Sequence, residues 1–242
     1  MSFGTVDALR RDVLRANLAL VSAGLVRLAF GNVSAVDRNA GVMAIKPSGV
    51  DYASLQIDDI AVVALATGQV VASSRRPSSD TPTHLALYHA FPTIVSVVHT
   101  HSTYATAWAQ AERDLPCLGT THADHFGAPV PVTRRLRGDE IEADYEANTG
   151  HVIVERFAAA SLDPLRLPGV LVARHAPFVW AESTQAALDN AIALEEVAFL
   201  ALHTELLRPD VTSIDEPLLM RHFERKHGPA AYYGQRLVPL EP

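Results

Sequence analysis

Two strand–turn–strand units within the first 72 residues set the tightest limit on how this chain folds. Residues 32–36 and 42–45 read as strands around the turn Asp37-Arg38-Asn39-Ala40-Gly41. Residues 60–66 and 69–72 read as a second hairpin turning at Thr67-Gly68. Strands joined by so few residues run antiparallel, which excludes an all-parallel doubly wound sheet. Neither G-x-G-x-x-G nor G-x-x-x-x-G-K-[ST] occurs, so the chain offers no dinucleotide-binding turn and no P-loop.

Helical patterning flanks these strands. Leu9, Val13, Leu14, Leu18 and Val21 fall on one side of a helix over residues 6–23, with Gly24 as its stop. A second helix follows Asp80, capped by Ser79 or Asp80, with Pro82 in its first turn. Residues 94–101 and 170–173 are apolar enough for buried strands, and residues 184–207 form a long helix. Ser213-Ile214-Asp215-Glu216 reads as a capping box opening a last helix at Ser213. The expected architecture is α/β, with three α/β/α layers around a central mixed, largely antiparallel sheet. With no repeat and no low-complexity linker, a single domain over residues 1–242 is the simplest reading; a 48% hydrophobic content suits it.

The formal net charge of −7 argues against general binding to nucleic acid or an anionic membrane, which needs a basic field. It leaves room for a small phosphorylated ligand held locally. Cys117 is the only cysteine, so no intrachain disulfide forms. The N-terminal segment is charged where a signal peptide needs an apolar core, and no apolar run approaches the roughly 18 residues of a membrane span. A cytoplasmic location is expected.

The strongest chemical signal is VSVVHTHS, with His99 and His101. Strand residues i and i+2 share a face, so two imidazoles at the end of an apolar strand can take one metal ion from one side. An isolated H-x-H is as readily two polar residues where a strand leaves the core. His175 follows another apolar strand, where α/β proteins place their sites. It would complete a His₃ set with an open position, the pattern of a catalytic metal. Asp80 is a candidate fourth ligand, although a carboxylate at a helix start is also favoured as a cap. His122 and His125 are a lesser pair, since no apolar strand positions them. His84, His89 and His203 fall on helix surfaces, where solvation is the expected role, and His151 carries no signal.

Two segments set small hydroxyl residues beside cations. Lys46-Pro47-Ser48-Gly49 follows a strand, and Arg75-Arg76-Pro77-Ser78-Ser79 precedes a helix. Backbone N–H groups at a helix start and a nearby cation suit a phosphate. Each segment alone is also an ordinary turn or helix start.

The strings GNVSAVD, IKPSGVDY, RPSSDTPTHLALYHAFP, VVHTHSTYATAWAQ, LGTTHADHF, PVPVTR, TGHVIVERF and RKHGPAAYYGQ resemble the class II aldolase/adducin head family, from about Leu9 to Gln235. Within it they are most similar to the epimerases that act on L-ribulose 5-phosphate. The resemblance implies a class II aldolase-like domain and metal-dependent epimerisation at C4 by cleaving and re-forming C3–C4, giving D-xylulose 5-phosphate. It implies Zn²⁺, with Mn²⁺ or Co²⁺ as alternatives, at Asp80, His99, His101 and His175. It assigns phosphate binding to Asn32, Lys46, Ser48, Gly49, Ser78 and Ser79, acid/base catalysis to Asp124 and Tyr233, and an accessory role to His222. It implies a homotetramer with active sites at subunit interfaces, Tyr233 coming from a neighbouring chain.

Aldolases of this family usually carry Glu where this chain has Asp80, which favours the epimerases. Two departures stand out. HADHFGA lacks the family's usual aromatic and shifts the glycine, and Ala176 replaces the glycine after the third histidine, where Ala requires a different backbone angle. The rival readings are a fuculose- or rhamnulose-type class II aldolase, a non-catalytic adducin-like module, and a sugar-phosphate dehydratase.

Overall fold

The computed structural model describes residues 3–233. Gly234 and Gln235 of the terminal motif lie outside the described residues, as does the tail after them.

The seven strands are β1 (Asn32–Asp37), β2 (Val42–Ile45), β3 (Ala61–Ala64), β4 (Val70–Ala72), β5 (Ser96–His99), β6 (Gly169–Leu171) and β7 (Pro177–Ala181). They form one sheet in the order β4-β3-β2-β1-β5-β7-β6, and every ladder is antiparallel. Among the described residues, mixing is confined to one isolated parallel bridge, Val132 with Leu171. Both expected hairpins are present, and their turns end on Gly41 and Gly68 at φ 68° and 70°.

The helices are α1 (Phe3–Ser22), α2 (Thr81–Ala90), α3 (Thr103–Ala111), α4 (Thr120–Ala123), α5 (Gly138–Ala159), α6 (Thr184–Leu207) and α7 (Glu216–His227). Gly24 ends α1 as expected. At φ 72° it lets Gly24 N–H reach Val21 O and Leu25 N–H reach Leu20 O, satisfying carbonyls that a helix end leaves orphaned. Among the described residues no helix is long and apolar enough to cross a membrane.

Register assigns the faces. Ala35, Ala44 and Val62 are cross-strand neighbours and pack against Val13 of α1. On the opposite face, Trp180, the cross-strand neighbour of Val97, packs against Phe91 at the end of α2 and Phe157 of α5, with ring centres 5.3 and 5.2 Å away. Gly150 lets these two helices approach closely, since a Cβ there would stand 2.6 Å from that of Ala86.

Several expectations are corrected. The strand expected over residues 94–101 ends at His99, and β6 ends at Leu171. The last helix begins at Glu216 with Asp215 as its N-cap and no side-chain cap bond, so the capping box at Ser213 does not form. Asp215 is itself extended, and just before it Ile214 N–H is bonded to Cys117 O at 2.9 Å. β7 and α5 have no counterpart in the sequence reading.

Candidate metal centre and active site

The antiparallel register brings the chemistry to one end of the sheet. Asn32 opens β1 opposite His99, which closes β5, and His99 in turn pairs with Phe178 near the start of β7. His175 sits on the β6–β7 hairpin, whose left-handed residue is Arg174 at φ 60°. Ala176 therefore carries no positive φ, and the glycine-to-alanine departure is accommodated.

The three imidazoles converge: His99, His101 and His175 present ligand nitrogens all within 4.8 Å of one another. His101 joins from just beyond the strand rather than from within it. His99 and His101 Nε2 atoms are 3.2 Å apart, close to the ~3.3 Å expected of two nitrogens at about 2.0–2.1 Å from one tetrahedral ion. His99 Nδ1 donates to Pro177 O at 2.9 Å, which leaves the Nε2 lone pair free. Burial pushes all three histidines below their ordinary pKa, His175 to about 3, so they are neutral, the form that ligates. The donor set fits a divalent metal.

Asp80 stands at the α2 N-terminus but makes no side-chain cap bond. Its Oδ2 instead accepts from Asn32 Nδ2 at 2.7 Å, so capping does not account for its carboxylate. Burial opposes its ionisation, yet His99, His84, the Asn32 amide and His175 hold its pKa below the ordinary value.

The two segments expected to bind phosphate are zipped together. Ser48 N–H donates to Arg76 O, Ser78 N–H donates to Lys46 O, and Pro47 bridges Pro77. Lys46 is almost wholly buried: its Nζ donates to Val50 O at 2.9 Å and lies 4.5 Å from the Tyr52 ring centre. Burial lowers its pKa, against the pull of Asp51. Gly49 adopts φ 67° with open space where a Cβ would be, so conformation rather than crowding calls for glycine there.

Asn32, Lys46, Ser48, Gly49, Ser78, Ser79, Asp80, His99, His101 and His175 all line one cavity of about 300 Å³, the low end of small-molecule sites. Grooves of about 460 and 470 Å³ elsewhere gather no imidazoles. Phe30, Tyr145 and Glu146 also line the site, and the sequence reading missed them. Tyr145 arrives through a break in α5 at Asp144, and its hydroxyl is 3.5 Å from His175 Nδ1.

Asp124 and Tyr233 belong to a second cluster, between α4 and α7. Arg225 clamps Asp124 with Nε at 3.1 Å and Nη2 at 2.8 Å, and His222 Nδ1 lies 3.1 Å away. The Tyr233 ring stacks over Arg225 at 4.5 Å. Burial disfavours the Asp124 carboxylate, but Arg225 and His222 outweigh it and hold its pKa below the usual value. None of these residues lines the metal cavity. Arg225 was not singled out from the sequence, although it lies within the RKHG string.

His122 and His125 do not chelate together. His122 Nε2 bonds Ala128 O, while His125 bonds Asn190 and Lys226. Gly127 is needed where it stands, because a Cβ would meet Arg166 at 2.8 Å. His89 and His203 are exposed as expected. His84 is not: it is fully buried, with Nδ1 2.7 Å from Ser34 Oγ.

Residues 11–202 match the family described as Class II Aldolase and Adducin N-terminal domain. The chain is 49% identical over 231 residues to L-ribulose-5-phosphate 4-epimerase UlaF of Salmonella paratyphi C (strain RKS4594), covering 96% of this chain and 100% of that protein. UlaF of Salmonella typhi shows the same identity and coverage. An L-fuculose 1-phosphate aldolase superposes with a TM-score of 0.75 at 24% identity, covering 90% of this chain and 95% of that one, a likeness of fold alone. YgbL from Escherichia coli superposes with a TM-score of 0.71 at 25% identity, covering 90% and 98%.

Proposed function

The chain belongs to the class II aldolase and adducin family, and from that membership we infer that it is a metal-dependent L-ribulose-5-phosphate 4-epimerase, converting its substrate to D-xylulose 5-phosphate. The observation that carries the reading is the convergence of the imidazoles, Asp80 and both phosphate segments on one cavity. The choice of epimerase over aldolase rests on the full-length identity to UlaF and on Asp rather than Glu at position 80.

C4 of the substrate bears a hydroxyl and is not adjacent to the C2 carbonyl, so its hydrogen is not acidic. Cleavage of C3–C4 avoids that difficulty. It yields the enediolate of dihydroxyacetone and glycolaldehyde phosphate, and rotation of the aldehyde before the bond re-forms inverts C4. His99, His101, His175 and Asp80 would hold a divalent metal, with zinc suiting this donor set and manganese or cobalt also able to occupy it, and when bound it would supply Lewis acidity toward the negative charge that develops on the enediolate.

The rest falls to the chain's own groups. Asn32, Lys46, Ser48, Gly49, Ser78 and Ser79 retain the aldehyde by its phosphate while it turns. Asp124 and Tyr233 move the proton of the C4 oxygen, one for each epimer, and His222 helps hold Asp124. Because the Asp124–Tyr233 cluster stands apart from the cavity and Tyr233 is 55% exposed, the reading includes a homotetramer whose sites are completed between chains. It also carries the expected cytoplasmic location.

The test is incubation of purified, zinc-loaded protein with L-ribulose 5-phosphate, following D-xylulose 5-phosphate with a chelator-treated control. Metal-dependent conversion without free glycolaldehyde phosphate is expected. Release of that aldehyde as a product would move the function to an aldolase.

A further inference from the structure

His84 is a fully buried titratable residue that the reaction above does not use. Its place in the fold is specific. Asn32 and Ser34, two apart on β1, face the same side of the sheet, and Asp80 and His84, four apart, face the same side of α2. The two repeats nearly match, about 6.7 Å along a strand and about 6.0 Å along a helix. Two polar rungs therefore form at once: Asn32 Nδ2 to Asp80 Oδ2 at 2.7 Å, and Ser34 Oγ to His84 Nδ1 at 2.7 Å. Tyr88, four residues further along α2, adds its hydroxyl to Ser34 Oγ at 2.7 Å.

We propose that the buried Ser34–His84–Tyr88 seam positions the metal centre: it fixes the height of α2 on β1 and so sets Asp80 beside the three histidines, with His84 as its key residue. A helix displaced along β1 would break both rungs and strand polar groups in the core. The donor order that satisfies both hydroxyl protons runs from Tyr88 to Ser34 to His84 Nδ1, which leaves the imidazole proton on Nε2. That Nε2 is buried with no partner. His84 also backs the histidine cluster: its ring meets Phe178 edge-on at 6.0 Å, and Phe178 stacks on His99 at 4.1 Å. Burial holds its pKa near 3, consistent with a neutral structural imidazole.

This inference rests on the reading of Asp80 and the three histidines as metal ligands. The test uses the full chain loaded with Co²⁺, reading affinity by chelator competition and geometry by the visible spectrum. His84→Leu is expected to weaken Co²⁺ binding by about 10–100-fold, the usual effect of losing a group that orients a ligand, and to shift the spectrum toward that of Asp80→Ala. His84→Asn, which keeps a polar group at the Nδ1 position, is expected to recover much of both. Wild-type affinity and spectrum in folded His84→Leu and Ser34→Ala would overturn the proposal. Should His84→Leu fail to fold, Ser34→Ala decides: weaker binding supports the seam and unchanged binding overturns it. Co²⁺ binding in His99→Ala as tight as in the wild type would overturn the metal-site reading itself, and the inference with it.

Discussion

At the residue scale, Asp124 and Tyr233 are the proposed proton carriers and stand outside the metal cavity. Asp124→Asn and Tyr233→Phe should each lower turnover by roughly 10²–10⁴-fold, the contribution of a positioned acid or base. Metal analysis of the same samples should show normal content; metal loss would count against a pure proton-transfer role. His122 supports a separate prediction. Burial lowers its pKa to about 4, below the unfolded value of about 6.5. Between those values the unfolded chain binds the extra proton, so stability is present above pH ~6.5 and is lost as pH falls toward 4, by on the order of 3 kcal/mol. His122→Gln, which cannot titrate, should show a shallower fall in denaturant titrations across that window. An identical slope in the two proteins would contradict this. The clustered histidines were legible because a histidine pair closing an apolar strand and a histidine after another are local patterns. His84 was misread because helical spacing alone does not say which side of α2 meets the sheet. Only the pairing of β1 with α2 reveals that its side is the buried one.

At the scale of elements, the hairpins, α1 and α6 were readable from apolar spacing and glycine stops, whereas β7 and α5 were not. Proline at the head of β7 reads as a break, although proline is tolerated at the first residue of a strand. The first half of α5, GDEIEADYEAN, is polar and broken at Asp144, so no helical stripe announces it. That break is also what delivers Tyr145 to the site. Two positions hold the loops that carry the clustered histidines. Gly31 adopts φ 90° just before β1, and a Cβ there would lie 2.7 Å from His99 O. Gly31→Ala should cost about 2 kcal/mol or more of stability and weaken metal binding, measured by thermal unfolding and chelator competition. The α3 N-terminus, immediately after His101, lacks a side-chain cap from Ser102 and is capped instead from α6. Glu195 accepts from Tyr104 N–H and Ala105 N–H, both at 2.9 Å. Glu195→Ala should therefore cost about 1 kcal/mol, the usual value of a lost cap.

At the scale of the whole molecule, the antiparallel sheet explains why residues from Asn32 to His175 meet at one place: its register sets the ends of β1, β5 and the β6–β7 hairpin side by side. The sequence could name those residues but not show that they share one cavity, since convergence depends on long-range pairing. If sites are completed between chains, co-expressing His99→Ala with Tyr233→Phe should yield mixed assemblies with activity that neither variant has alone. No recovery in such mixtures would contradict shared sites. The central claim is that C4 inverts because C3–C4 breaks, not because C4 loses its hydrogen. The direct measurement is to run the conversion in D₂O and examine the product by NMR. The account predicts D-xylulose 5-phosphate with no deuterium at C4; deuterium incorporated at C4 at the rate of product formation would contradict it.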